Sequence, residues 1–228
     1  MCDVKAVFFD FGDTLATLVP SKEELFIRAA RSLGMELELE AVKRAYQIVD
    51  FHSKYSSVHV RDRDGFYHRY NEQLTEALGI SSYFSRLKLL LVAEFKDHKR
   101  WELFDEVPEA LGRLREHGIT LALVANWDRN LSSLTEVLGI REAFSTIVSS
   151  QDAGVEKPDP TIFLRAVDEL LLSEDLHRIL YVGNEYRADV LGARAEGLIP
   201  VLIDRCGRYS QADCPHFASL LAWLDSTQ

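Results

Sequence analysis

A chain of 228 residues, 47% hydrophobic and 27% charged, has the balance of an ordinary globular protein and enough apolar material for a sizeable core. Its formal net charge of -10 argues against a nucleic-acid surface, which needs clustered lysine and arginine, and weakly against an anionic membrane. A small phosphorylated ligand stays open, because it needs positive charge only locally.

The first element is the unbroken apolar run Ala6 to Phe9, which reads as a strand buried on both faces of a parallel sheet. It ends on Asp10, and Gly12 lets the backbone turn tightly behind it. A carboxylate at the carboxyl end of a buried strand sits where open α/β sheets hold their ligands, although an Asp there can also simply cap a turn. Ser21 with Glu24 reads as a capping box, followed at helical spacing by Leu25, Phe26, Ala29, Ala30 and Leu33, with Gly34 as the stop. Val42, Ala45, Tyr46 and Val49 make a second apolar stripe, and Tyr67, Tyr70, Leu74 and Leu78 a third, closed by Gly79. Phe84, Leu87, Leu91 and Phe95 make a fourth. From about 20 to 98 nothing alternates like a strand, so this segment is predicted to be an all-helical insert.

The second half alternates. Pro108 lies in the first turn of a predicted helix carrying Val107, Leu111 and Leu114 and stopped by Gly118. Strands are predicted at Ile119 to Ala125, Phe144 to Val148, Ile179 to Val182 and Ile199 to Ile203. Helix faces fall between them, at Leu131, Leu134 and Leu138, at Ile162, Phe163 and Ala166 behind Asp159-Pro160, and at Val190, Leu191 and Ala195. Alternating units of this kind imply a parallel sheet with right-handed crossovers. The fold class expected is therefore α/β, a doubly wound Rossmann-like sheet over residues 1–16 and 100–228, interrupted by a helical domain over 17–99.

Cys2, Cys206 and Cys214 are too few and too far apart for a disulfide framework or a zinc site, which makes a reduced, cytoplasmic setting the default. No apolar run approaches the roughly 18 residues of a membrane span. Asp10 and Asp13 interrupt any signal-peptide core, so no leader is expected.

Four segments fall at or near the carboxyl ends of predicted strands: Asp10-Phe-Gly-Asp-Thr14, Val124-Ala-Asn-Trp-Asp128, Glu156-Lys-Pro-Asp159 and Val182-Gly-Asn-Glu-Tyr-Arg-Ala-Asp189. In this order, with a helical insert after the first strand, the chain resembles the haloacid dehalogenase (HAD) superfamily, mostly phosphatases with some dehalogenases. The resemblance covers nearly the whole chain and places the insert as a first-position cap over the site. It implies Asp10 as a nucleophile that forms a covalent intermediate, and Lys157 as the cation between that carboxylate and an anionic substrate. It implies Mg2+ held by Asp10, the Gly12 carbonyl and Asp189, and Thr14 and Asn126 at the substrate end. A turn-capping Asp10, a solvated Lys157 and a helix-capping Asp189 are the plain alternatives.

Three positions depart from the phosphatase pattern. The second Asp, which protonates the leaving group and then activates water, is replaced by Gly12; Asp13 is next door but one residue out of place. Ala125 stands where a hydroxyl residue is usual, and Asn184 where the fourth motif has its first acid, with Glu185 following as possible compensation. The implied activity is hydrolysis of a small phosphate monoester with Mg2+. One alternative is a metal-free 2-haloacid dehalogenase, although such members carry Tyr at the position of Gly12 and Ser in the second motif. Another is a weakly catalytic binding protein. The partners expected are a small anionic substrate, no nucleic acid and no membrane, with the chain a monomer or a homodimer. In the insert, Arg61, Arg63, His68 and Arg69 form a basic patch, most simply a solvated helix face, and none of the seven histidines has a metal-ligand spacing.

Overall fold

The computed structural model describes residues 3–53 and 63–227. Cys2 and Arg61 lie outside the described residues, as do the side chains of Arg63, Tyr67 and Phe95. In chain order the elements are β1 (Ala6–Phe9), β2 (Ala16–Leu18), α1 (Lys22–Ser32), α2 (Leu39–Ser53), α3 (Arg63–Ala77), α4 (Phe84–Lys96), β3 (Trp101–Leu103), α5 (Val107–Glu116), β4 (Thr120–Ala125), α6 (Leu131–Val137), β5 (Thr146–Ser149), α7 (Ser150–Ala153), α8 (Pro160–Glu169), β6 (Ile179–Gly183), α9 (Gly192–Ala195), β7 (Ile199–Ile203), β8 (His216–Phe217) and α10 (Leu220–Asp225). A π-helical stretch, Tyr186–Leu191, runs directly into α9.

The chain divides into two units, Met1–Thr17 with Leu103–Gln228, and Leu18–Glu102. The first is built on a six-stranded parallel sheet of order β5-β4-β1-β6-β7-β8. All four β1 side chains are fully buried, as an interior strand of a sheet covered on both faces requires. Phe9 sits opposite Leu123 on β4 and Val182 on β6, so the residues that follow these three strands emerge at one edge. The chain steps outward from β1 to β4 and β5, then returns to the other side of β1 as β6. That reversal makes the β1–β6 boundary the switch point where open α/β sheets form their crevice. On one face, Phe8, Val124, Ile162, Phe163, Ala166 and Tyr181 share a core.

The predicted punctuation is present. Asp159 caps α8 by accepting from the Thr161 N–H at 2.9 Å, and Pro160 opens that helix. Ser21 and Glu24 form the reciprocal capping box of α1. In the second unit the stripes meet one another: Phe26, Ala30, Val42, Tyr46, Leu74, Leu87 and Leu91 form one core. β5 begins at Thr146 rather than Phe144, because a tight turn at Arg141–Ala143 precedes it and the Arg141 guanidinium donates to the Phe144 carbonyl at 2.9 Å. Strands β2, β3 and β8, of three, three and two residues, are too short to show a period in sequence.

Candidate active site

Asp10 leaves β1 with its N–H donating to the Val182 carbonyl at 2.9 Å, which ties the end of β1 to β6. The turn behind it folds tightly, with the N–H groups of Leu15 and Ala16 both donating to the Phe11 carbonyl, and this brings Thr14 back under the carboxylate. Fully buried Thr14 donates its hydroxyl to Asp10 Oδ2 at 3.0 Å.

Lys157 approaches from the loop before α8, and its side chain is 2% exposed. Its Nζ donates to Asp10 Oδ1 at 2.6 Å, to Asp189 Oδ1 at 2.7 Å and to the Tyr181 hydroxyl at 2.7 Å, which uses all three ammonium protons. Tyr181 passes its own proton to the Val124 carbonyl at 2.7 Å. The loop is held by Asn126, whose Oδ1 accepts the Lys157 N–H at 2.7 Å and whose Nδ2 donates to the Lys157 carbonyl at 3.0 Å. Both ends of that amide therefore serve the loop that positions Lys157.

Asp189 lies within the π-helical stretch, a distortion common at functional sites, and is 1% exposed. Its Oδ2 accepts the Glu185 N–H at 2.9 Å. A Cβ on Gly183 would fall 2.4 Å from Asp189 Cγ, so only glycine allows this approach. Burial pushes the Asp10 carboxyl up to about 6, against the pull of Lys157. Burial also pulls the Lys157 ammonium down, but Asp10 and Asp189 together outweigh it and hold the group above its ordinary value. Tyr181 is raised well above the usual phenol range by burial and then by the charges of Asp189 and Asp10.

The departures from pattern have physical neighbours. Gly12 is half-buried, and the place of its missing Cβ lies 3.4 Å from the Trp127 ring, which packs edge-on to Phe11 at 5.0 Å between centroids. Asp13 is exposed, in a left-handed conformation at φ 57°, and accepts the Thr17 hydroxyl at 3.0 Å. Asn184 is buried, and one end of its amide is 3.3 Å from both the Gly12 carbonyl and Asp10 Oδ2. Glu185 Oε2 accepts the Tyr209 hydroxyl at 3.1 Å, and its Oε1 lies 3.6 Å from Arg208 Nη1. Ala125, buried at the end of β4, has no side-chain donor to offer. Asp128 accepts the Asn130 N–H at 2.9 Å just before α6.

The structure thus brings Asp10, Gly12, Thr14, Lys157, Asn184 and Asp189 together, sends Asn126 to the Lys157 backbone, and turns Asp13 and Glu185 to other partners. Tyr181 was not foreseen, although a lone tyrosine between Leu180 and Val182 in a fully buried strand needs a partner for its hydroxyl, and that was the available signal. In the helical unit His68 Nδ1 is 3.1 Å from Lys88 Nζ, and Arg69 is exposed. Among the described residues, no three His, Cys, Asp or Glu side chains are grouped to hold a metal ion, and no helix is long and apolar enough to cross a membrane.

Over residues 4–197 the chain matches the haloacid dehalogenase-like hydrolase family. It is 27% identical over 207 residues to the human haloacid dehalogenase-like hydrolase domain-containing protein 3, covering 88% of this chain and 82% of that one. It is 29% identical over 221 residues to the glyceraldehyde 3-phosphate phosphatase of Methanopyrus kandleri, covering 92% and 88%. In structure it is similar to the HAD-hydrolase YfnB from Bacillus subtilis, with a TM-score of 0.78 at 18% identity over 98% of each chain, a likeness of fold.

Proposed function

Since the chain belongs to the haloacid dehalogenase-like hydrolase family, we propose that this hydrolase cleaves a small phosphate monoester through Asp10. A carboxylate oxygen of Asp10 bonds to phosphorus while the ester oxygen leaves with its bonding pair; water then attacks phosphorus, frees Asp10 and releases phosphate. The observation that carries this reading is the buried bridge from Lys157 Nζ to Asp10 at 2.6 Å and to Asp189 at 2.7 Å. The ammonium lets an anionic substrate approach an anionic nucleophile, and Asn126 and Tyr181 hold it in place. The helical unit Leu18–Glu102 acts in this reading as the cap that selects the substrate.

The leaving group matters because proton donors near Asp10 are already engaged. Lys157 gives its protons to three acceptors, Tyr181 gives its own to Val124, and Asp13 is turned to Thr17. Monoesters whose leaving group is stable as an anion, such as aryl phosphates, are favoured over alkyl phosphates.

Magnesium, which the resemblance implies for phosphatases, does not fit the donors present. Asp189 accepts one hydrogen bond at each oxygen, from Lys157 and from the Glu185 N–H. Both oxygens of Asp10 accept from side chains, Lys157 and Thr14. The third acid is Asn184, and one end of its amide lies 3.3 Å from the Gly12 carbonyl and Asp10 Oδ2, two of the oxygens the resemblance implies as ligands, whereas Mg2+ asks for a near-octahedral set of oxygens.

The test is hydrolysis of p-nitrophenyl phosphate by wild type and Asp10→Asn, with intact-mass detection of a phosphoryl adduct in the wild type. Turnover at the wild-type rate in Asp10→Asn would sink the covalent reading. That these donors, among the described residues, are engaged also favours a second reading, release of halide from 2-haloacids, since halide departs without a proton. Halide release from short 2-haloacids, lost in Asp10→Asn, would select it.

A further inference from the structure

We propose that the Asn184 carboxamide occupies the place of a divalent cation, fixing Asp10 with N–H donors so that this site works without a metal. The inference rests on Asp10 as the working carboxylate, and its test does not depend on turnover.

Three oxygens converge on one end of the Asn184 side chain. Gly12 O and Asp10 Oδ2 lie 3.3 Å from it, and Thr14 Oγ1 lies 3.4 Å away. An amide oxygen there would face a carbonyl and a carboxylate with no proton between them. The amide nitrogen carries two protons and meets two acceptors, so Nδ2 donates to Gly12 O and to Asp10 Oδ2. The Thr14 hydroxyl spends its proton on Asp10 Oδ2 at 3.0 Å, so each atom around the point is satisfied. Asn184 itself is buried at 6% exposure, where an unpaired amide proton would be costly.

A point ringed by a carboxylate oxygen, a backbone carbonyl and a hydroxyl oxygen is what a hard cation seeks. Here its place is taken by a neutral group that needs no counter-charge. With Asn184 neutral, two carboxylates, Asp10 and Asp189, flank one ammonium, Lys157, which leaves one net negative charge where a third acid would leave two, so an incoming anion is opposed less. Changing Asn184 to Asp would remove both protons and set a carboxylate oxygen against two others at 3.3 Å, an arrangement that only a cation or a trapped proton relieves. Asn184 is on this view a positioning residue. It orients Asp10 and keeps metal out.

The experiment is calorimetric titration of MgCl2 into wild type and Asn184→Asp, with melting curves of both in EDTA and in Mg2+. The wild type should show no saturable Mg2+ binding below about 10 mM, and its melting point should be the same in either buffer. Asn184→Asp should bind one Mg2+, and its melting point should rise by about 5 °C or more when Mg2+ exceeds Kd a hundredfold. Stoichiometric binding to the wild type with Kd below about 1 mM would overturn the proposal. So would an Asn184→Asp protein that folds and still ignores Mg2+. If that variant does not fold, the wild-type titration decides alone. Failure of the phosphatase reading would leave both readouts untouched.

Discussion

Asp10, Lys157, Tyr181 and Asp189, none more than 9% exposed, are joined through the Lys157 ammonium, whereas Asp13 and Glu185, near Asp10 and Asp189 in the chain, serve Thr17 and Tyr209 in the surrounding loops. The first group is the floor of the site and the second its rim. The difference follows from burial. A charge withdrawn from water must be paired or it costs several kcal/mol, so each member of the floor constrains the others. Rim carboxylates are wetted, and any nearby donor suffices. A chain can therefore keep a paired floor while residues beside it differ from the phosphatase pattern, as at Gly12 and Asn184.

The largest effect should come from breaking the floor. Lys157→Met leaves Asp10 and Asp189 buried without their cation, and removing one partner of such a set costs about 3–5 kcal/mol. Denaturant midpoints measure this, and turnover should fall at least about a hundredfold, as when a preorganised donor is lost. A stability loss below about 1 kcal/mol would mean the floor is wetter than its geometry implies.

Next comes pH. Asp10 attacks only as the anion, and burial raises its carboxyl to about 6, so the anion is depleted as pH falls through that value. kcat/KM should then drop about tenfold per pH unit below 6. A limb near the ordinary aspartate range would place Asp10 with the wetted rim instead of the floor.

The smallest effect belongs to the rim. Asp13→Asn keeps a side-chain oxygen for Thr17, and turnover should stay within about twofold of wild type, the range of a surface change. A loss of a hundredfold would reveal Asp13 as the displaced proton carrier and erase the distinction between the two regions.

Much of the frame was legible because its signals are local. The run Ala6 to Phe9 fits a buried strand, Ser21 and Glu24 cap within one turn, and Asp159-Pro160 opens a helix by the chemistry of adjacent residues. The positions of Asp10, Lys157 and Asp189 followed from their places at predicted strand ends and from a family resemblance. Tyr181 was passed over because its run has the look of any buried strand and its partners come from elsewhere in the chain.

Local sequence thus determined which segments are strands and helices, where they stop, and that carboxylates and a lysine gather at the sheet's carboxyl edge. The tertiary structure alone decided who pairs with whom. Lys157 meets Asp10 across 147 positions and Asp189 across 32, Asn126 reaches 31 positions to the Lys157 backbone, and Thr14 comes within 3.4 Å of Asn184 across 170. Such pairings are set by strand order and loop closure, and each depends on burial that exists only once the sheet has assembled. For that reason Asn184 reads in the sequence as a missing acid, and in the fold as the amide that stands in a cation's place.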